Sequence, residues 1–360
     1  MIYFDNNATT SIDERVLETM LPFLKNMYGN PSSVHRLGRI ANSALETARE
    51  QVAYLIDCEP SQVIFTSGGT EANNLALNSA FGRIAISATE HPSVFEPAKR
   101  FNSEIIPVTR DGIIDTNTIE ALLAKRPDFV SIMLANNETG VIQPITKIAK
   151  QLTSRGILVH SDAVQAVGKI AVSFTDLGVQ LLSISGHKIC GPKGCGALVV
   201  DKSVQLSSQI LGGGQEQNFR SGTENVAAIV GFGKACELAK NELDFRQTRM
   251  LSLQTMLESK LAKMSKITIF GKDTPRLPNT TLFGIDGIDG ETVLLKLDQK
   301  RICVSSGSAC ASSETMPSHV LLAMGISEQQ AKTAIRVSLS HQNTPGEVLE
   351  FLDLITQFGV

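Results

Sequence analysis

Between about residue 45 and residue 200, short apolar runs alternate with amphipathic segments of helical periodicity. The apolar runs predict strands at 63–65, 83–87, 129–134, 156–160, 181–184 and 197–200. The segments between them predict helices, for example at 41–56, 70–81 and 145–154. The runs lack alternation of apolar and polar residues, which is typical of a sheet covered by helices on both faces. This pattern predicts an α/β fold with a mainly parallel sheet, whose ligands would bind beyond the carboxyl ends of the strands.

The pattern changes in the last third of the chain. A long helical region at about 224–264, with a possible bend near Leu243, is followed by strands, helices and a polar segment. The strands are predicted at 267–270, 279–285 and 302–304, and the next helix at 290–297, with two further helical segments near the end. A chain of 360 residues also exceeds the size at which one core usually keeps growing. We therefore predict a large α/β domain at 13–240 and a small α+β domain formed by 1–12 and 241–360.

Composition narrows the classes of function. The net charge of −3 gives no general attraction to nucleic acid or to an anionic membrane. No apolar stretch is long enough to cross a bilayer, and the first residues lack the blocks of a signal peptide, so a cytoplasmic location is expected. The six cysteines are sparse and irregularly spaced, which argues against disulfides. Cys190 and Cys195 have no second pair of ligands nearby in sequence, so no metal site is predicted.

Polar residues that could hold a ligand follow two of the predicted strands. Gly69 and Thr70 lie between the strand at 63–65 and a helix, where free backbone N–H groups could bind a phosphate. An ordinary strand-to-helix turn explains these residues comparably well. Asp162 follows the strand at 156–160 and would need a partner if it were buried, such as a protonated ring nitrogen. The alternative for Asp162 alone is a helix N-cap.

Two further strand ends carry basic groups. Lys188 follows the strand at 181–184, and a desolvated lysine amine is suited to imine chemistry. Lys193 competes for this role, although its turn of proline and glycine usually faces water. His91 follows the strand at 83–87, where a lone histidine would usually be structural. Together, a turn that could bind a phosphate, an aromatic ring that could stack, a carboxylate for a ring nitrogen and a lysine amine are the set of groups that pyridoxal phosphate requires.

Cys310 lies in a small, polar, glycine-containing stretch without apolar periodicity. A structural cysteine usually lies within an apolar run, because the thiol packs like a small hydrophobic group. The composition here is typical of a solvent-reachable loop, which suits a reactive thiol. A free cysteine in a surface loop is the alternative interpretation.

Over nearly its whole length the sequence resembles the cysteine desulfurases of the NifS/IscS group, which are pyridoxal-phosphate enzymes of fold type I. The resemblance rests on motifs in matching order: FDNNATT (4–10), GNPSS (29–33), SGGTE (67–71), EH (90–91), ANNETG (135–140), DAVQ (162–165), SGHK (185–188), RSGT (220–223), SSGSAC (305–310) and IRVSL (335–339). It implies a large domain with a mainly parallel seven-stranded sheet and a smaller α+β domain. The chain is similar to the shorter NifS-like members, since little follows its last helical segment.

The resemblance also implies roles for individual residues. Lys188 would bind the cofactor covalently and act as a base, Asp162 would pair with the ring nitrogen, and His91 would stack on the ring and move protons. Gln165 would bind the 3′-oxygen, and Arg336 would clasp the substrate carboxylate with help from Asn137. The phosphate would be held by Gly69, Thr70, Ser185 and His187, with Thr223 contributed by the second subunit of a homodimer.

The activity implied is removal of sulfur from L-cysteine, giving L-alanine and a persulfide on Cys310. The sulfur would pass to an acceptor protein, such as an iron–sulfur scaffold or a tRNA-thiolation enzyme. A selenocysteine lyase or another β-eliminating pyridoxal-phosphate enzyme is the alternative, but simple elimination needs no protein nucleophile such as Cys310. A cofactor-binding protein that only relays sulfur is a third hypothesis, and the set of Lys188, His91, Asp162 and Cys310 argues against it.

Overall fold

The computed structural model describes residues 1–306 and 317–359. Its helices are α1 Glu14–Lys25, α2 Arg36–Ile56, α3 Gly69–Asn78, α4 Pro92–Ala98, α5 Thr116–Lys125, α6 Ile145–Thr153, α7 Phe174–Leu177, α8 Val226–Asn241, α9 Leu243–Leu261, α10 Gly290–Gln299, α11 His319–Ala323, α12 Glu328–Ala331 and α13 Pro345–Thr356. Its strands are β1 Ile2–Tyr3, β2 Val63–Thr66, β3 Ile84–Ser87, β4 Glu104–Ile106, β5 Phe129–Ser131, β6 Leu158–Asp162, β7 Leu181–Ser185, β8 Gly196–Val200, β9 Ile267–Ile269, β10 Thr280–Ile285, β11 Ile302–Cys303, β12 Ser305–Ser306 and β13 Ala334–Ser338.

Within the described part of the chain, seven strands form the large sheet in the order β2-β8-β7-β6-β5-β3-β4. The neighbours from β7 to β4 are parallel, whereas β8 is antiparallel to both β7 and β2. The strands β2, β3, β5, β7 and β8 are buried along their whole length, because helices cover both faces. The predicted α/β fold with a mainly parallel seven-stranded sheet is confirmed.

The C-terminal part has its own sheet, β12-β13-β10-β9, which is antiparallel throughout. An apolar cluster on this sheet joins residues from both ends of the chain, including Phe4, Phe283 and Phe351. The N-terminus is tied in because β1 pairs with β11 and Asp5 bridges to Ser338. This cluster supports the division into a domain at 13–240 and a domain of 1–12 with 241–360, which stays a proposal.

Three local predictions differ from the structure. The run at 129–134 was expected to be all strand, but β5 ends at Ser131, and Ile132 and Leu134 continue beside β6 with isolated hydrogen bonds. The strand β4 was not predicted, because the first two of its residues are exposed at the sheet edge and give no apolar run. The helical region expected at 224–264 begins at Val226 and ends at Leu261, and it is divided into α8 and α9 at Glu242, beside the possible bend predicted near Leu243. The Glu242 carboxylate binds Arg15 and Arg246.

A search of the described helices finds no segment with the length and apolar character that a membrane crossing requires.

Candidate active site

A cavity of about 370 Å³ opens at the carboxyl ends of the parallel strands. It is bounded by residues from the turns after β2, β3, β6 and β7, from the N-terminal segment and from β13. The predicted site residues that line it are Gly69, Thr70, His91, Asn137, Asp162, Gln165, Ser185, His187, Lys188 and Arg336. The topology explains the gathering, since parallel strands deliver their carboxyl ends to one edge of the sheet.

The turn between β2 and α3 forms one end of the cavity. Gly68 has a φ of +154°, which L side chains rarely adopt, and a Cβ on Gly69 would lie 2.8 Å from a methyl group of Val164. The first N–H groups of α3 are therefore presented to the cavity without side chains in the way. Ser185 Oγ is buried here and has no hydrogen-bond partner in the described residues. An unpaired hydroxyl and free N–H groups at a helix N-terminus together fit a phosphate.

Asp162 lies at the end of β6 and is 4% exposed. Its Oδ1 accepts a hydrogen bond from the Val164 N–H at 2.9 Å, and its Oδ2 accepts one from Asn73 Nδ2 at 2.7 Å. The local cap-like role considered for Asp162 is thus present, but Asn73 adds a second, long-range contact. Each carboxylate oxygen can accept more than one hydrogen bond, so Asp162 can also accept one from a protonated ring nitrogen.

Lys188 ends a short 3-10 turn, Gly186–Lys188, directly after β7. Its Nζ donates to the backbone oxygens of Asn7 and Ala8, the latter at 2.8 Å. The N-terminal segment therefore holds the amine inside the cavity, half-buried. Lys193, the competing lysine, is exposed and is not among the residues that line this cavity.

His91 is the N-cap of α4, and its Nδ1 accepts from the Ser93 N–H at 3.1 Å. Since Nδ1 is an acceptor, the neutral ring carries its proton on Nε2. Burial lowers the pKa of His91, and the Asp162 carboxylate opposes this only in part. A neutral imidazole that keeps one N–H is suited both to stacking on a ring and to moving a proton.

Arg336 lies on β13 at the opposite side of the cavity and is 5% exposed. Its Nη2 donates to Asp5 Oδ1 at 2.7 Å, and its Nη1 donates to the Asn137 backbone oxygen at 3.1 Å. The buried Nε has no partner among residues 1–306 and 317–359. A fixed guanidinium with an unpaired buried N–H is a suitable site for the carboxylate of a small substrate.

Gln165 and His187 complete the cavity. Gln165 Nε2 donates to the Asn7 backbone oxygen at 2.9 Å, so its amide N–H groups face the region of Lys188. His187 Nδ1 lies 3.2 Å from Thr9 Oγ1, and burial lowers the pKa of His187 to about 4. His187 is therefore neutral at physiological pH and can offer a hydrogen bond to an anion without a full charge.

Two predicted site residues are not part of this cavity as the structure describes it. Thr223 is exposed and is not among the residues that line the cavity, so its predicted role would need a second subunit. Cys310 lies outside the described residues. Cys190 and Cys195, to which no role was given, are buried.

The sequence interpretation missed several residues that hold the site together. Asn7 donates to the Asn137 backbone oxygen and to Thr280 Oγ1, while its own backbone oxygen accepts from Lys188 and Gln165. Asp5 and Asn73 directly contact Arg336 and Asp162, as described above. The available signal was the polar motif FDNNATT, because asparagines beside a buried aromatic residue need partners inside the protein.

The residues present fit pyridoxal phosphate. A phosphate seat with an unpaired hydroxyl, a buried carboxylate, a neutral imidazole and a lysine amine all line one cavity of suitable size. These groups match the phosphate, ring nitrogen, ring face and aldehyde of that cofactor in chemistry.

Comparison with known proteins agrees with this geometry. The family model of aminotransferase class-V matches residues 2–351. The chain is 42% identical to a cysteine desulfurase of Trichormus azollae, covering 99% of this chain and 92% of that protein. It is 41% identical to cysteine desulfurase IscS 1 of Archaeoglobus fulgidus, covering 99% and 96% of the two chains. The crystal structure of a NifS-like protein from Rickettsia africae superposes with a TM-score of 0.94 at 40% identity and covers both chains completely.

Proposed function

The chain belongs to the aminotransferase class-V family, and from this premise we infer that it is a pyridoxal-phosphate-dependent cysteine desulfurase. It removes sulfur from L-cysteine and leaves L-alanine. The observation that carries this conclusion is the single cavity that brings together Lys188, Asp162, His91 and Arg336 from four separate segments of the chain. Relatives that are named cysteine desulfurases match almost the whole chain at about 40% identity.

We propose that the cofactor is held at both ends. The N–H groups at the start of α3, with Thr70, Ser185 and His187, would bind its phosphate, and Asp162 would bind its ring nitrogen. His91 would lie against the ring and Gln165 beside the 3′-oxygen. When bound, pyridoxal phosphate supplies an electron sink for charge that develops at the Cα of an amino acid.

Lys188 is proposed as the base that takes the proton from the substrate Cα and returns it. The carbonyls of Asn7 and Ala8 hold the amine by its hydrogens, which fixes where its nitrogen lies. A base must be within hydrogen-bond reach of the proton that it moves, so this positioning is a direct requirement of the reaction.

Arg336 is proposed to orient the substrate through its carboxylate. Asp5 and Asn137 hold two nitrogens of the guanidinium, which leaves the buried Nε available. Because the guanidinium is fixed before the substrate arrives, little side-chain entropy is lost on binding. The side chain of Asn137 lines the same cavity and would add a second contact.

Cys310 is proposed as the nucleophile that attacks the sulfur of the bound L-cysteine. A bond forms between the two sulfurs, the Cβ–sulfur bond of the substrate breaks, and its electron pair passes to the three-carbon fragment, which is protonated to alanine. The described residues on either side are close to the cavity: Ser305 pairs with Arg336, and His319 Nε2 lies 2.9 Å from the Glu90 backbone oxygen, next to His91.

The other cysteines are unsuited to this role. Burial is the main cause that raises the pKa of each of the five described thiols, so each is a poor source of thiolate at neutral pH. The five are Cys58, Cys190, Cys195, Cys236 and Cys303.

We further propose a homodimer in which Thr223 of each subunit reaches the phosphate bound by the other. Thr223 is exposed and does not line the cavity of its own chain, which supports this arrangement. The sulfur acceptor would be a protein thiol, in an iron–sulfur scaffold or a tRNA-thiolation enzyme. A cytoplasmic location is proposed because a persulfide carrier needs a compartment in which thiols remain reduced.

The test is incubation of the purified protein with pyridoxal phosphate, L-cysteine and a reductant, with alanine and sulfide measured together. We expect both products in equal amounts, with absorbance of the bound cofactor that borohydride abolishes. L-Selenocysteine is assayed in parallel. Turnover of L-selenocysteine without sulfide from L-cysteine would identify a lyase and contradict the proposal.

A further inference from the structure

Lys169 is a buried lysine beside the cavity to which the reaction above gives no role. It follows Gln165 by four residues, in the turns after β6, and is 5% exposed. Its Nζ donates to Asn7 Oδ1 and to Gln165 Oε1, both at 2.8 Å. In the parts of the chain at 1–306 and 317–359, no carboxylate oxygen lies within 4.0 Å of this nitrogen. A buried lysine without an acidic partner is costly and rare, so its two polar contacts need an explanation.

The chemistry of the lysine nitrogen fixes the orientation of two amides. A primary amide can turn over and present either its oxygen or its N–H₂ group, at little difference in shape. Lys169 presents hydrogens to both of its neighbours, so the oxygens of Asn7 and Gln165 must face it. Burial first, and then the charges of Lys188 and Arg336, lower the pKa of Lys169 well below its usual value. Either protonation state of the amine has the two hydrogens that the contacts with Asn7 Oδ1 and Gln165 Oε1 need.

The orientations of the Asn7 and Gln165 amides affect both sides of the cavity. With its oxygen on Lys169, Gln165 has its N–H₂ group on the other side, where one hydrogen bonds the Asn7 backbone oxygen at 2.9 Å. The second hydrogen is then available to the cavity that Gln165 lines. With its own oxygen on Lys169, Asn7 directs its Nδ2 to the Asn137 backbone oxygen at 3.0 Å, the atom that also receives Arg336.

We propose that Lys169 is a positioning residue with two effects. It orients the Gln165 amide so that its N–H group points towards the bound cofactor, and it holds Asn7, whose backbone oxygen accepts from Lys188. This inference rests on the proposed function, because it concerns the same cavity. In this arrangement Gln165 can only donate to an anionic oxygen of the cofactor. Without Lys169, only the hydrogen bond to the Asn7 backbone oxygen opposes a turn of the amide that would place its oxygen at that position, where two acceptors repel each other.

The test is a spectrophotometric pH titration of the bound cofactor in the absence of substrate, in wild type and in Lys169→Met. Methionine keeps the length and apolar body of the side chain but donates no hydrogen bond. We expect the midpoint of the absorbance change to move to higher pH by about one unit, the size of one lost hydrogen bond to a charged group. We expect the dissociation constant of pyridoxal phosphate to rise by roughly tenfold for the same reason.

Four further variants make the result specific. Lys169→Arg keeps a donor-only group and is expected to keep the wild-type midpoint, and Lys240→Met, on α8 away from the cavity, is the control for loss of a partly buried lysine. If Lys169 acts through the amide, the double variant Lys169→Met with Gln165→Met shifts the midpoint no further than Gln165→Met alone.

An unchanged midpoint in Lys169→Met, or full additivity with Gln165→Met, would overturn the inference. If Lys169→Met does not fold, Lys169→Gln is compared with Lys169→Arg, and equal midpoints for these two would overturn it. A wild type that shows no cofactor absorbance would instead contradict the proposed function.

Discussion

Replacing Asp162 with asparagine separates the two roles that this carboxylate can have. The side chain accepts one local hydrogen bond, from the Val164 N–H, and one long-range hydrogen bond, from Asn73 Nδ2. Asparagine keeps one oxygen, which can still accept from Val164, since asparagine forms the same local turn as aspartate. It replaces the other oxygen by an N–H₂ group that faces the Asn73 donor and can no longer bind a protonated ring nitrogen.

The two effects appear in different measurements. Loss of the hydrogen bond that Asn73 donates to the Asp162 carboxylate should lower the free energy of unfolding of the cofactor-free protein by about 1.5–3 kcal/mol. Loss of a charge-assisted hydrogen bond to the cofactor should weaken its binding by about 1.5–3 kcal/mol. That free energy corresponds to a dissociation constant for pyridoxal phosphate roughly 10- to 150-fold higher.

The assay is a titration of the cofactor-free protein with pyridoxal phosphate, followed by absorbance, beside urea unfolding of the same cofactor-free protein. The matched control is Asp289→Asn at the exposed N-cap of α10, where asparagine caps a helix as well as aspartate. The control should change neither quantity measurably. If Asp162→Asn loses stability but binds the cofactor within a factor of about two of wild type, Asp162 is only a structural acceptor, and the proposed pairing with the ring nitrogen is wrong.

Three other substitutions test the remaining parts of the site. Lys188→Ala should abolish alanine formation and the borohydride-fixed cofactor while the protein stays folded, and an adduct recovered on another active-site peptide would show that the lysine is misassigned. Arg336→Lys keeps the charge but loses the planar guanidinium, so KM for L-cysteine should rise roughly 10- to 100-fold. Arg39→Lys on the exposed surface of α2 is the control, and an unchanged KM in Arg336→Lys would show that another group binds the carboxylate of L-cysteine. Cys310→Ser should still bind the cofactor and L-cysteine but release no sulfide, whereas the control Cys58→Ser should turn over normally. Mass analysis of the wild-type protein after one turnover should find the extra sulfur on the peptide containing Cys310 and on no other cysteine.

The strand ends were predictable because each buried strand leaves an apolar run that stops at a polar residue. The structure has β2, β3, β6 and β7 at or within two residues of the predicted runs, and the site residues that were predicted after them line one cavity. The parallel arrangement then follows from the helices between the strands. The weak edge strand β4 and the two-residue strand β1 have no such signal, because too few of their residues are buried to form a pattern.

The N-terminal segment was the least predictable part of the site. Its strand is too short to be recognised, and its position depends on pairing with β11, about 300 residues away in sequence. No local pattern encodes such a contact. The segment nevertheless supplies Asp5 to Arg336 and Asn7 to Lys188, Gln165 and Lys169.

This placement has a physical consequence for how the site forms. The lysine, the carboxylate and the phosphate seat all lie on turns of the large sheet, whereas Arg336 lies on β13 of the smaller one. Asn7 connects Lys188 with Arg336. Its backbone oxygen accepts a hydrogen bond from Lys188, and its side-chain amide donates to the Asn137 backbone oxygen, which also accepts from Arg336. Asn7 and Arg336 are buried and Lys188 and Asn137 are half-buried, so the polar atoms of Asn7 and Arg336 in particular would be costly to leave unpaired. One short segment therefore sets the geometry between Lys188, the proposed base, and Arg336, the proposed carboxylate site, and changes at Asn7 should disturb the two together.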